Sequence, residues 1–142
     1  MSAPVCQEYR IEGNDYVDAG AASNNIKNTL KMLGLSSDIC RRAAVVTYEA
    51  EMNLVIHAGG GTLKAMIYED HVELYAIDEG PGIPDVNKAM TEGFTTASDA
   101  AREMGFGAGM GLPNIKKNSD DFDIQTVVGK GTTIKSTIYF KK

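Results

Sequence analysis

"GTLKAMIYEDHVELYAIDEGPG", residues 61–82, decides the fold. Two alternating runs, "TLKAMIY" and "HVELYAID", are separated only by Glu69 and Asp70. A two-residue polar turn between alternating runs predicts a β-hairpin. The second run ends at Asp78, where Gly80, Pro81, Gly82 and Pro84 force the chain to turn. Further on, "DFDIQTVV" and "TTIKSTIYF" alternate across "GKG" and predict a second hairpin. Upstream, "SSDICRRAAVVTYEAEMNLVIHAGGG" reads as one long helix. Ser36 or Ser37 can cap its start, and Gly59 to Gly61 stop it. Before it, Ile26, Leu30 and Leu33 have helical spacing and Gly34 can close that helix. "VCQEYRI" alternates weakly and reads as a first strand. Between the hairpins, Val86, Ala89 and Met90 form the apolar side of a short helix. Residues 92–108 have few large apolar side chains and are expected to be mobile. "MGLPNIKKNS" begins another helix, with Pro113 tolerated in its first turn. Strands here are followed by strands rather than by regular crossovers. The order predicts an α+β fold, a two-layer sandwich with helices on one face of a mixed, largely antiparallel sheet.

The chain has 142 residues, enough for one domain with one core, and residues 1–142 are expected to form that single unit. Apolar residues make up 43%, so neither disulfides nor a structural metal are needed for folding. The net charge of −5 argues against a phosphate-backbone footprint and so against direct nucleic-acid binding. Cys6 and Cys40 are isolated, without metal-ligand spacing. No run approaches the ~20 apolar residues of a membrane helix. "MSAPVCQEYR" carries no export signature, so a cytoplasmic location without membrane attachment is expected.

Three places carry candidate chemistry. On the long helix, Val45, Tyr48, Met52, Val55 and Ile56 read as an apolar stripe, with Glu49 and Asn53 one turn apart on its edge. Glu51 and Thr47 are expected on the far, more polar side. An amide oxygen is a neutral hard donor suited to Mg²⁺ when phosphates supply the other ligands. A carboxylate one turn away can take a proton from an attacking hydroxyl or water. A solvated helix edge carries the same pair. At the end of the hairpin, Asp78 can accept from the exocyclic amine of adenine and repel the keto oxygen of guanine. Gly80 and Gly82 permit positive φ and the approach of a flat ring, although Asp, Gly and Pro also mark any strand-ending turn. In "GFGAGMGLPNIKK", Gly105, Gly107, Gly109 and Gly111 alternate into a helix start, which is an anion-binding arrangement. It is not a dinucleotide fingerprint, because Met110 and Leu112 occupy the place of the third glycine. "VVGKGTT" is not a Walker A motif, because the earlier glycine is missing.

"EAEMN", "DEGPG", "GFGAGMG" and "GKGTT", in that order, resemble the four nucleotide-binding boxes of the GHKL ATP-binding superfamily. Within it the chain is most similar to the anti-sigma-factor and switch serine/threonine kinases of the RsbT and RsbW type, and closest to the RsbT kind. The resemblance implies ATP and Mg²⁺ as ligands. It implies Glu49 as general base, Asn53 as the Mg²⁺ ligand and Asp78 as the adenine reader. It further implies Gly80 and Gly82 at the adenine pocket, Thr132 as a polar contact beside it, and a phosphate lid of Thr95, Thr96, Gly105, Gly107, Gly109 and Gly111. The expected substrate is a serine or threonine of a STAS-domain antagonist. A sigma factor, a phosphatase and a second copy of the chain are further partners it allows. His57 and His71 do not sit where a phospho-accepting histidine would. An ATP-gated binding module with little turnover is the rival expectation, and a plain ATPase is a third. "ASDAAREM" lengthens the lid region and "KNSDDF" replaces a more apolar approach to the following strand.

Overall fold

The structure is a computed structural model, and it describes residues 5–13, 19–56, 58–80, 82–83, 86, 90 and 111–140. Five strands and three helices follow in the order β1 (Val5–Glu12), α1 (Ala21–Met32), α2 (Ser37–Ile56), β2 (Gly60–Ile67), β3 (His71–Asp78), α3 (Gly111–Lys117), β4 (Asp121–Val127) and β5 (Gly131–Tyr139). The strands form one sheet in the order β1-β2-β3-β5-β4. Among the described residues every pairing is antiparallel. The two-layer α+β arrangement is therefore as expected, and β3 and β4, which run the same way, are kept apart by β5.

Local signals set the element ends. Ser36 Oγ accepts from the Ile39 N–H at 3.2 Å and caps α2. Gly34, with φ 83°, closes α1. The Gly34 N–H donates to the Lys31 carbonyl and the Leu35 N–H to the Leu30 carbonyl, the paired bonds of a Schellman end. Glu69 and Asp70 make the tight turn between β2 and β3, closed by the Tyr68 N–H donating to the His71 carbonyl at 2.8 Å. Alternate residues of the central strands, Leu63, Ala65 and Ile67, Val72, Leu74 and Ala76, Ile134 and Ile138, are buried. They join Ile39, Ala43, Val46, Ala50 and Leu54 of α2 in one hydrophobic cluster.

Helix α2 is covered on more sides than its sequence pattern suggests. Tyr48, read as part of the apolar stripe, is 41% exposed, while Val46, Ala50 and Leu54 are buried. Thr47 and Glu51, expected on the polar side, are also buried. The cause is α1, which packs along that side of α2. Thr47 satisfies its hydroxyl on the Ala43 carbonyl at 2.7 Å. Glu51 accepts from the Gly20 N–H at 3.0 Å and the Ser23 N–H at 2.9 Å, so it caps the start of α1 from the neighbouring helix. A carboxylate only 2% exposed is tolerable because both of its oxygens are bonded. Glu51→Ala strands two amide donors, and urea unfolding should show a loss of about 2–3 kcal/mol. A variant as stable as the parent would remove this capping role.

Candidate active site

The C-terminal half of α2 lies beside the end of β3. The position a Cβ would take at Gly61 contacts both Leu54 of α2 and Asp78 of β3. Asp78 ends β3 in register with Thr132 of β5. Its Oδ1 accepts from the Gly80 N–H at 2.8 Å and the Thr132 N–H at 3.2 Å. Both bonds fall on one oxygen, and Oδ2 makes none among the described residues. The carboxylate is thus fixed in orientation with one acceptor edge unused, as a reader of an amine requires. Glu79 is exposed.

Gly80 and Gly82 make the turn that follows Asp78. A Cβ at Gly80 would lie 2.6 Å from the Ala58 carbonyl oxygen. A Cβ at Gly82, where φ is 78°, would lie 2.6 Å from the Val127 carbonyl oxygen. At both glycines the place of a Cβ is taken by the chain's own backbone. Their role is to let the turn pass between the end of α2 and the β4–β5 hairpin. Gly131 is placed likewise, its missing Cβ making room for the Asp78 carbonyl.

Thr132 is 4% exposed, and its hydroxyl lies 2.8 Å from that of Thr126. Thr126 Oγ1 also accepts from the Ile83 N–H at 2.8 Å, tying the exit of the turn to β4. Alternation alone placed Thr126 in a strand, and nothing local marked its partner 43 residues away.

Glu49 and Asn53 are both half-buried on α2, about 6 Å apart along the axis. The Asn53 carboxamide makes no hydrogen bond among the described residues. Its oxygen is a suitable single protein donor for a Mg²⁺ ion held mainly by phosphates. Among the described residues no group of three or more His, Cys, Asp and Glu is placed to hold a metal. Glu49 Oε2 accepts from the Asn114 Nδ2 of α3 at 3.0 Å. Glu49 Oε1 lies 3.5 Å from the position of a Cβ at Gly111, the first residue of α3. Tyr48 next to it has its hydroxyl held above the ordinary range by burial first, then by the charges of Glu49 and Glu51. Thr95, Thr96, Gly105, Gly107 and Gly109 lie outside the described residues. Of the expected lid, Gly111 is placed, beside Glu49.

The acidic stretch that departed from expectation is structurally engaged. Asp120 Oδ1 accepts from Arg42 Nη2 at 3.1 Å and its Oδ2 from the Tyr139 N–H at 2.7 Å. Arg42 also donates from Nε to the Asn118 carbonyl at 3.2 Å, which fixes the end of α3 to α2. With the Arg42 side chain only 11% exposed, Arg42→Ala should cost about 1–2 kcal/mol in thermal or urea unfolding. An unchanged midpoint would argue against this anchor.

A helical layer on an antiparallel sheet carries the Glu49–Asn53 pair on α2 and the fixed Asp78 at the end of β3. Residues 40–142 match the family described as histidine kinase-, DNA gyrase B-, and HSP90-like ATPase, and the chain belongs to that family. It is 32% identical to the serine/threonine-protein kinase RsbT of Bacillus subtilis (strain 168), over 84% of this chain and 86% of that protein. It is 38% identical to the anti-sigma F factor of Caldanaerobacter subterraneus subsp. tengcongensis, over 64% of each chain. Among solved structures it resembles a chain of the SiaB–SiaC complex from Pseudomonas aeruginosa, with TM-score 0.60 and 14% identity over 93% of this chain and 88% of that one. That likeness is one of fold.

Proposed function

We propose that this chain is a Mg-ATP-dependent protein serine/threonine kinase of the switch type, acting on a STAS-domain antagonist protein. The observation that supports the reading is the contact of Glu49 on α2 with Asn114 and Gly111 of α3, with Asn53 one turn along the same helix and Asp78 held at the end of β3 beside the C-terminal half of α2. The likeness to RsbT and to anti-sigma F factors supports it. In this reading Asp78 accepts from the adenine amine through Oδ2, with Thr132 as the neighbouring polar contact. Gly80 and Gly82 shape the turn that holds it. Asn53 holds Mg²⁺, which would offset negative charge on the triphosphate. Thr95, Thr96, Gly105, Gly107, Gly109 and Gly111 cover the phosphates. The substrate hydroxyl oxygen attacks the γ-phosphorus. A new O–P bond forms, the bond to the β,γ-bridging oxygen breaks, and ADP leaves with that electron pair. Glu49 accepts the hydroxyl proton. The phosphorylated antagonist then changes its affinity for a sigma factor or a phosphatase.

The test is transfer of labelled γ-phosphate from Mg-ATP to the STAS-domain proteins encoded in the same genome. One phosphoserine or phosphothreonine on one of them is the expected product. No transfer to any of them would overturn the proposal.

A further inference from the structure

We infer that Asn114 is a positioning residue that orients the Glu49 carboxylate, an inference that rests on the proposed role of Glu49 as base. The two residues are 65 apart in sequence and meet only because α3 packs against α2. Asn114 Nδ2 pins Oε2 at 3.0 Å. Oε1 is left beside Gly111, at the start of the same helix. Among the described residues Glu49 has no ion pair, so this amide is its one polar restraint.

Asn114 is itself held firmly. Leu112 and Ile115 are buried in the core on either side of it. The Asn114 carbonyl accepts from the Asn118 side chain at 2.9 Å, and the Asn118 carbonyl accepts from Arg42. The donor is therefore presented from a rigid element rather than from a loop. Its chemistry also suits the task. A lysine or arginine here would pair with the carboxylate and favour its unprotonated form, weakening it as a proton acceptor. An aspartate would repel it. A neutral amide orients one oxygen and leaves the charge in place. It also leaves Oε1 to take the proton.

The experiment measures phosphate release from Mg-ATP with water as acceptor, as separate kcat and KM values, in Asn114→Ala, Asn114→Asp, Asn114→Gln and Glu49→Gln. In this reaction water oxygen bonds to the γ-phosphorus, ADP leaves, and one water proton passes to Glu49. Asn114→Ala should lower kcat about 10-fold with KM for ATP within about twofold of the parent. Asn114→Asp should lose more, through repulsion. Asn114→Gln, which keeps the donor, should recover part of the loss. A merely structural role would give equal losses in all three, or move KM along with kcat, and would overturn the inference. If Glu49→Gln loses turnover while Asn114→Ala keeps it, the base reading stands and the positioning role falls. If Glu49→Gln turns over like the parent, both fall. A faster Asn114→Ala would make the contact a restraint on the base and would also overturn it. The contact is checked without turnover by a double-mutant cycle in urea. Asn114→Ala and Glu49→Ala, each of which removes one partner of the contact, should be non-additive by about threefold or more in the unfolding constant, and additivity overturns the inference.

Discussion

Glu49→Gln is expected to lower phosphate transfer by about 10²- to 10⁴-fold while nucleotide binding is retained. The amide keeps the size of the carboxylate, so α2 is undisturbed, but it cannot accept the proton of the attacking hydroxyl. Asp78 and Thr132, on β3 and β5, are untouched by the change. Nucleotide-induced stabilisation should therefore match that of the parent. This pair of readings also separates the kinase from its rival, the ATP-gated binding module. In that rival, partner affinity rises with a non-hydrolysable ATP analogue, and Glu49→Gln leaves every measurable function intact. A variant that transfers phosphate at the parent rate would remove Glu49 from the reaction.

Asp78→Asn is the second large effect, and the geometry makes it a clean substitution. The Asn oxygen can keep both bonds now made by Oδ1, from the Gly80 and Thr132 amides. The free edge changes from acceptor to donor and then faces the donor amine of adenine. ATP binding should weaken about 10- to 100-fold, the worth of a hydrogen bond to a charged group. Stability without nucleotide should stay within about 1 kcal/mol. In the parent, ATP should raise the thermal midpoint well above the rise given by GTP, because Oδ2 repels the guanine keto oxygen. Equal stabilisation of the parent by the two nucleotides would sink the assignment of Asp78. Asp78→Ala is a poorer probe, since it also releases the turn at Gly80.

How much of the site was legible depends on whether its signal is local. The Glu49–Asn53 spacing is a property of one helix, and it survives folding unchanged. Asp78 before a glycine turn is equally local. Gly80 and Gly82 were legible as a turn, but not the backbone that packs against them. Both make room for backbone, from Ala58 and Val127, that arrives from distant parts of the chain. Glu51 was misread because a glutamate on a helix is ordinarily solvated. Only the docking of α1 supplies the two amides that pay for its burial. Asn114 in "GLPNIKK" carried no signal at all, since its partner lies on another helix.

By itself the sequence determined the elements, their order and most of their ends. It did so through short-range physics: the Ser36 cap, the Gly34 closure, the Glu69-Asp70 turn and the period-two strands. The order of the four nucleotide-binding boxes was likewise readable along the chain. Tertiary structure alone decided the strand order β1-β2-β3-β5-β4, which sets Thr132 beside Asp78. It also decided the burial of Glu51 and the meeting of Asn114 with Glu49. These are pairings between residues dozens of positions apart. They arise when apolar faces close over one another and the stranded polar groups find partners, and no local pattern encodes which partners those are.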